Sequence, residues 1–376
     1  VDIIDDADEF LDEIAERETR NITRLESAFI YLETSFENEE TLDIIKELLK
    51  LQEKHISAVG INENEIYELK DTSLYKVFKK FLECPEIVDD ILIDETNYLV
   101  NALQIMRIFE PFLDETFVTY KRVDGDVIID LISPNISSRF EEIVRKNNAL
   151  VLMSGTLHKA SILRDLFGVK DFKIVEAETR TPGTIEMVRT GKEFDCRYSN
   201  FKSEKNTREQ YLMALGACWK KAKKPLLVHV NAFEDLPSIE ETYQYNITQV
   251  MPKEQLKESQ FNDKTGRLVS LFKSKLSDTL VTTKCSRGVD FPGDICNSMI
   301  FTKYPNPNPK DIFWKILKRV HPEYFWEVYK DKAKREFLQR LYRALRSPED
   351  HIYVLSPDIR VLDAIKEIQT LYNKFI

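Results

Sequence analysis

Two hydrophobic periods run along this chain and change over near residue 116. From about residue 20 to 115 apolar positions recur at helical spacing, with Leu25, Phe29 and Leu32 in one segment and Leu42, Ile45, Leu48 and Leu49 in the next. The same spacing predicts helices around 74–83 and 97–109. Residues 117–132 alternate instead. Val118, Tyr120, Val127 and Ile129 flank Asp124-Gly125, a dipeptide suited to a two-residue turn, so this stretch reads as a β-hairpin. Beyond it, short apolar runs at 149–153, 225–230, 279–283, 298–302 and 352–355 alternate with helical stretches, the pattern of a parallel sheet flanked by helices. A closing helix over 358–375 aligns Leu362, Ile365, Ile368 and Leu371. At the other end, 1–5 reads as a strand and 9–18 as a helix. A strand as first element, with no initiator Met, creates the expectation of upstream sequence.

At 376 residues and 43% hydrophobic content, the chain can bury two or three cores. No run approaches the roughly 18 apolar residues of a membrane span, and no charged-then-apolar leader opens the chain. The expectation is a soluble, non-secreted protein without membrane contact, from a prokaryotic (archaeal) cytoplasm or a eukaryotic nucleus. Cys84, Cys196, Cys218, Cys285 and Cys296 are scattered with no CxxC pair, so they read as reduced thiols rather than a zinc site. Charge changes the picture more. Residues 1–50 carry 16 acidic against 5 basic side chains, while 310–346 carries 11 basic against 5 acidic. The net charge of −10 therefore does not exclude a polyanionic partner.

The candidate chemistry follows the strands. Open parallel sheets bind ligands at the carboxyl ends of their strands. Asp5-Asp6-Ala7-Asp8 follows the first one, where carboxylates can hold Mg²⁺ through water and position an attacking water, or simply open an acidic helix. Ser154-Gly155-Thr156-Leu157 follows a second strand and suits either helix capping or coupling to a phosphate. In Ser286-Arg287-Gly288-Val289-Asp290, Gly288 permits close backbone approach to a phosphate or sugar, and Asp290 can accept from a ribose hydroxyl or hold an arginine. Gln339, Arg343 and Arg346 are spaced for one face of a basic helix, and arginine forks match γ-phosphate oxygens.

Taken in order, these blocks resemble the XPD/Rad3/DinG branch of superfamily 2 DNA helicases. Residues 1–20 look like the DEAH box and its helix, 152–157 like motif III, and 224–233 like motif IV. Residues 283–293 look like motif V, 339–346 like motif VI, and Asp358-Ile359-Arg360 resembles the pair that closes the family pattern. The resemblance implies an α/β fold with two RecA-like motor domains: a remnant of the first at 1–19 and 116–170, with a mainly helical Arch-like insertion at 20–115, and the second at 171–376. It implies an ATP-dependent 5′-to-3′ helicase that hydrolyses ATP with Mg²⁺ while gripping single-stranded DNA or DNA junctions, with repair-protein partners reached through the insertion. It carries Mg²⁺ coordination through water to Asp5, the catalytic-base position to Asp6, coupling to Asp8, Ser154 and Thr156, and nucleotide sensing to Gly288, Asp290, Gln339, Arg343 and Arg346. DNA contacts fall to Lys202, Lys220, Lys221, Lys224 and Ser286.

The departures from the family pattern are specific. Asp6 stands for a glutamate, Asp8 for a histidine, Arg287 for a glutamate, Ala232 for a serine and Tyr342 for a glycine. A Walker A loop is absent: at the one Gly-Lys pair, Gly191-Lys192, Glu186 and Glu193 occupy the positions of the required glycine and hydroxyl. Phosphate-loop residues and any iron–sulfur ligands are therefore expected upstream, and the chain alone is not expected to turn over ATP. The competing expectation is a weakened paralogue that keeps the fold as a DNA- or partner-binding scaffold. An acidic segment at 92–96 reads more like an intact DExx box than 5–8 does, but it lies in the helical block and reads as a helix start.

Overall fold

The computed structural model describes every residue except 14, 16, 22, 26–42, 45, 48, 49, 51–64, 84–97, 176–182, 285–287 and 373–376. The expectations built on Phe29, Leu32, Leu42, Ile45, Leu48 and Leu49, on Ser286 and on the acidic 92–96 segment lie outside the described residues. The chain divides into two units, Val1–Phe172 with Asn308–Val328, and Lys173–Pro307 with Tyr329–Ile376.

In the first unit, β1 (Asp2–Ile4) leads into a helix at Ala7–Asp12. The 9–18 helix expected from sequence ends early, because Arg17–Asn21 forms β2. This polar strand pairs antiparallel with a strand more than a hundred residues away, a partner that local spacing cannot reveal. With β3 (Tyr67–Glu68), β4 (Phe117–Val123) and β5 (Asp126–Ile132) it makes a four-stranded sheet of order β2-β5-β4-β3. The hairpin turns at Asp124 and Gly125, both left-handed at φ 51° and 94°.

Strand alternation then sorts the hairpin's two faces. Val118, Tyr120, Ile129 and Leu131 meet the helices Ser73–Leu82 and Tyr98–Phe109 in one core, while Phe117 and Ile132 meet Ile316 on the other side. The 20–115 block thus carries strands as well as helices, and shares a sheet with the hairpin. A separate pair, β1 with β6 (Leu150–Leu152), runs parallel with Ile3 opposite Val151. Val1, Ile3, Val151 and Met153 are exposed by 82, 64, 40 and 47% on one face of that pair.

The second unit is a five-stranded, all-parallel sheet of order β7-β11-β10-β8-β9. Its strands are β7 (Thr184–Met187), β8 (Leu226–His229), β9 (Thr279–Thr282), β10 (Ser298–Phe301) and β11 (His351–Leu355). Strands β8, β9 and β10 are covered on both faces and read as apolar runs, whereas β7 at the edge is alternately exposed. Leu227, Met299, Phe301, Ile352 and Val354 face Phe337, Leu341, Leu362 and Ile365. Leu226, Val228, Ile300 and Leu355 face Tyr211, Leu215, Trp219 and Leu236. The fold is thus α/β with a RecA-like parallel sheet.

Gly183 enters β7 at φ 108°, and a Cβ there would collide with the Asp350 carbonyl, which already accepts the Thr184 N–H at 2.8 Å. Gly183→Ala combines left-handed strain with that clash and is expected to destabilise the second unit by about 2 kcal/mol or more, measured by urea denaturation.

Candidate functional site

The β1–β6 pairing brings two sequence-distant loops together at the carboxyl ends of both strands. The Met153 N–H donates to the Ile4 carbonyl at 2.9 Å and the Ala7 N–H to the Met153 carbonyl at 2.9 Å, stitching residues 4–7 to the segment after β6. Asp5 and Asp6 are exposed. Asp6 is left-handed at φ 49° and ψ 40°, and its N–H donates to Asp5 Oδ1 at 2.9 Å. Asp8, in the first turn of the helix, is 1% exposed. Its carboxylate accepts from Ser154 Oγ at 2.6 Å and Thr156 Oγ1 at 3.1 Å, while Ser154 Oγ accepts the Thr156 N–H at 3.0 Å. Burying this carboxylate is tolerable because hydroxyl donors satisfy it.

Sequence reasoning missed a second link on the same helix. His158 Nε2 lies 3.1 Å from Asp12 Oδ1, with the ring 5.3 Å from Phe167 and edge-on to it. Asp8 and Asp12 are spaced i, i+4, so one helix face carries both contacts. The alternation of carboxylates at 8 and 12 with Ser154, Thr156 and His158 was the signal available in the sequence. Among the described residues, no group of three or more His, Cys, Asp or Glu side chains is disposed to hold a metal. An exposed carboxylate such as Asp5 still suits Mg²⁺, which keeps most of its waters and needs only one or two protein carboxylates.

In the second unit Asp290 collects both arginines: Arg343 Nη1 at 3.0 Å and Arg346 Nη2 at 2.5 Å share its Oδ1. The sequence placed this pair on a helix. That helix, Pro322–Leu341, ends one residue before Tyr342; Arg343 sits in a 3₁₀ turn (Tyr342–Ala344) and Arg346 in the loop beyond. The departure from helix lets both forks converge on one carboxylate, and the Phe291 N–H to the Arg343 carbonyl at 2.7 Å fastens the two segments. Tyr342 packs against the core and Gln339 lies half-buried on the helix. Gly288 stands at φ 72° with open space where a Cβ would point, so its backbone angle, rather than crowding, calls for glycine. Asp350 anchors the cluster from behind. Its carboxylate accepts the N–H groups of Arg346 at 2.6 Å, Ser347 at 2.7 Å and Gly293 at 2.8 Å. Burial opposes ionisation of Asp290, but hydrogen bonds from Arg346 and Arg343 outweigh it and hold its carboxyl below the usual range.

Gly191-Lys192 forms a turn whose donors are satisfied from within. The Glu193 carboxylate takes the Thr190 N–H, the Gly191 N–H at 3.1 Å and Thr190 Oγ1 at 3.0 Å, the position a phosphate would need. The basic candidates scatter. Lys224 pairs with Asp278 at 3.3 Å ahead of β9, Lys221 donates to the Arg189 carbonyl at 2.5 Å, and Lys220 is exposed beside it. Lys202 is exposed at the end of the helix Tyr198–Lys202.

Residues 215–373 match the family model described as the helicase C-terminal domain. The fold is similar to that of an XPD helicase, at 15% identity and TM-score 0.53 over 98% of this chain and 67% of that one. It is similar to Xpd4 of S. tokodaii at 17% identity and TM-score 0.57, covering 98% and 73%. It is also similar to an apo form of XPD at 17% and 0.54, covering 98% and 74%. No curated protein matches the sequence significantly. No helix among the described residues is long and apolar enough to cross a membrane.

Two outcomes test the arginine cluster. Asp350→Ala leaves three backbone N–H groups without their acceptor and is expected to cost about 3 kcal/mol in urea denaturation. Because the Asp290 pKa is lowered in the folded chain, its pairing contributes fully above the unfolded carboxyl value of about 3.9 and is lost as pH falls through the folded one. Carboxyl ¹³C NMR of Asp290 should follow that loss, and Arg343→Ala with Arg346→Ala should move the midpoint upward.

Proposed function

We infer that this chain, with the XPD helicase fold and a helicase C-terminal domain at 215–373, works as the motif II to motif VI part of an ATP-dependent DNA helicase. The observation that carries the reading is the convergence of Arg343 and Arg346 on Asp290. Two planar, permanently charged forks pre-oriented by one carboxylate suit the charge that develops on a transferring phosphoryl group. Asp5 would hold Mg²⁺ through water, and the bound ion supplies positive charge to the phosphate oxygens. Asp6, exposed and left-handed beside it, would orient the attacking water. Asp8 with Ser154 and Thr156 is the link through which a change at residues 5–6 reaches the segment after β6. Gly288 and Gln339 complete the nucleotide-sensing set.

The phosphate cradle is expected from residues outside this sequence, since Glu193 fills the nest at Gly191-Lys192. Exposure of Ile3 and Val151 supports that expectation, because parallel strands are ordinarily covered on both faces. The substrate in this reading is single-stranded DNA, with movement 5′ to 3′.

The test is DNA-stimulated ATP hydrolysis by the longest natural polypeptide containing this chain. Arg343→Ala is expected to lower kcat about 10³-fold or more while leaving the fold intact. The second reading, a scaffold that binds DNA or partners, rests on Asp6 and on the carboxylate at Asp8, which is satisfied without nucleotide. It expects DNA binding without any DNA-stimulated hydrolysis, and a robust rate that disappears in Asp5→Ala would exclude it.

A further inference from the structure

Strand β8 ends on a histidine inside the core of the second unit. His229 is 2% exposed, and its Nε2 meets no hydrogen-bond partner among the described residues. Parallel register sets it between Thr282 of β9 and Phe301 of β10. The ring lies on Phe301, with centroids 5.2 Å apart and planes 28° from parallel, and Phe301 in turn meets Phe337 of the helix Pro322–Leu341 at 5.0 Å. Arg340, one turn beyond Phe337, is 8% exposed and paired with Glu336 at 2.8 Å. The side chains in register from β9 and β10 are uncharged, so the charged groups packed over the ring come from this helix: Arg340 and its partner Glu336.

A neutral imidazole is tolerable in such a place, because a flat ring stacks well and one unpaired nitrogen costs little beside a buried charge. An imidazolium is not. Both of its nitrogens would need acceptors, and its charge would face that of Arg340 with water excluded. Burial, and then the positive charge of Arg340, accordingly hold the ring well below the usual histidine range. The helix above it bears directly on the arginine cluster. Phe337 and Leu341 are buried in the same core as Phe301, and Leu341 is followed at once by the turn Tyr342–Ala344 that carries Arg343.

We propose that His229 is an acid-operated release for the arginine cluster: a proton taken up by its ring drives the helix end at 337–341 off the sheet and frees Arg343 and Arg346 from Asp290. Lifting the helix end admits water to both cations, which is what relieves the repulsion. The sign follows from the ring being neutral when packed. Packing is at full strength above the ordinary histidine value of about 6.5, and it weakens about tenfold for each pH unit below that, because the released state takes up the proton. Asp290 stays ionised in that range, since its own carboxyl is held below the usual one, so the release precedes any loss of the cluster's carboxylate. That the freed arginines cease to act on a phosphoryl group rests on the helicase reading above; the opening itself does not.

The test is hydrogen–deuterium exchange of the full chain, read by mass spectrometry and compared with His229→Phe at equal pH so that intrinsic exchange rates cancel. His229→Phe keeps the stack on Phe301, and His229→Gln, uncharged at every pH, takes its place if the first variant does not fold. Peptides covering 337–346 are expected to exchange about tenfold faster in the unmodified chain than in the variant at pH 5.5, and at the same rate at pH 7.5. A ratio that does not change between the two pH values would overturn the proposal. So would an acid-dependent opening that spreads equally through β8 and β10, because that is loss of the whole sheet and not release of one helix end. The exchange difference, found in a longest natural polypeptide that shows no DNA-stimulated ATP hydrolysis, would leave the release standing and overturn the helicase reading.

Discussion

Strand β11 is flanked by two buried carboxylates, Asp350 immediately before it and Asp358 shortly after, 5% and 0% exposed. A buried carboxylate is costly unless donors surround it, and here the donors come from separate loops. Asp350 gathers the N–H groups of Gly293, Arg346 and Ser347. Asp358 gathers those of Cys196, Tyr304 and Arg360, and the Arg360 guanidinium besides, at 2.7 Å. The arginine cluster is thereby fixed before the strand, and the backbone at Cys196 and Tyr304 after it. What hydrogen-bonded ladders do for the strands, these two carboxylates do for the loops on either side of β11.

The sheet of that unit was legible because its strands are buried on both faces, which leaves a continuous apolar signature at 225–230, 279–283, 298–302 and 352–355. Strand β7 was not. It is short and alternately exposed, and its Glu186 was noticed in the sequence only as a departure from a phosphate loop. The helix carrying Arg343 and Arg346 was extended too far for a related reason. Tyr342 and Leu345 continue an acceptable apolar spacing, and nothing local announces that the backbone tightens so that two arginines can reach one carboxylate. In the first unit β2 escaped notice because Arg17–Asn21 is polar and its partner, β5, lies far along the chain. Among the candidate site residues, the ones the structure draws together are those whose partners were themselves candidates: Asp8 with Ser154 and Thr156, and Asp290 with Arg343 and Arg346. Asp350 was invisible as a single residue, because its significance lies in what it faces, and Asp12 and His158 were signalled only by their spacing from Asp8 and from Ser154 and Thr156.

At the node around Asp8, hydroxyls can serve a carboxylate where the resemblance of residues 5–8 to a DEAH box would place a histidine. Hydroxyl groups donate or accept as their partner requires, so Ser154 and Thr156 serve a carboxylate as readily as an imidazole. Asp8 adds a buried negative charge to a stretch already holding Asp5 and Asp6. The penalty is limited by position, because Asp8 lies in the first turn of Ala7–Asp12, where backbone N–H groups point outward and the helix dipole favours negative charge. An imidazolium there would meet the opposite field. The helix start therefore stabilises an aspartate as the partner that ties the two loops together. In the helicase reading that tie would carry a change at residues 5–6 to the segment after β6, and in the scaffold reading it holds the two loops in place.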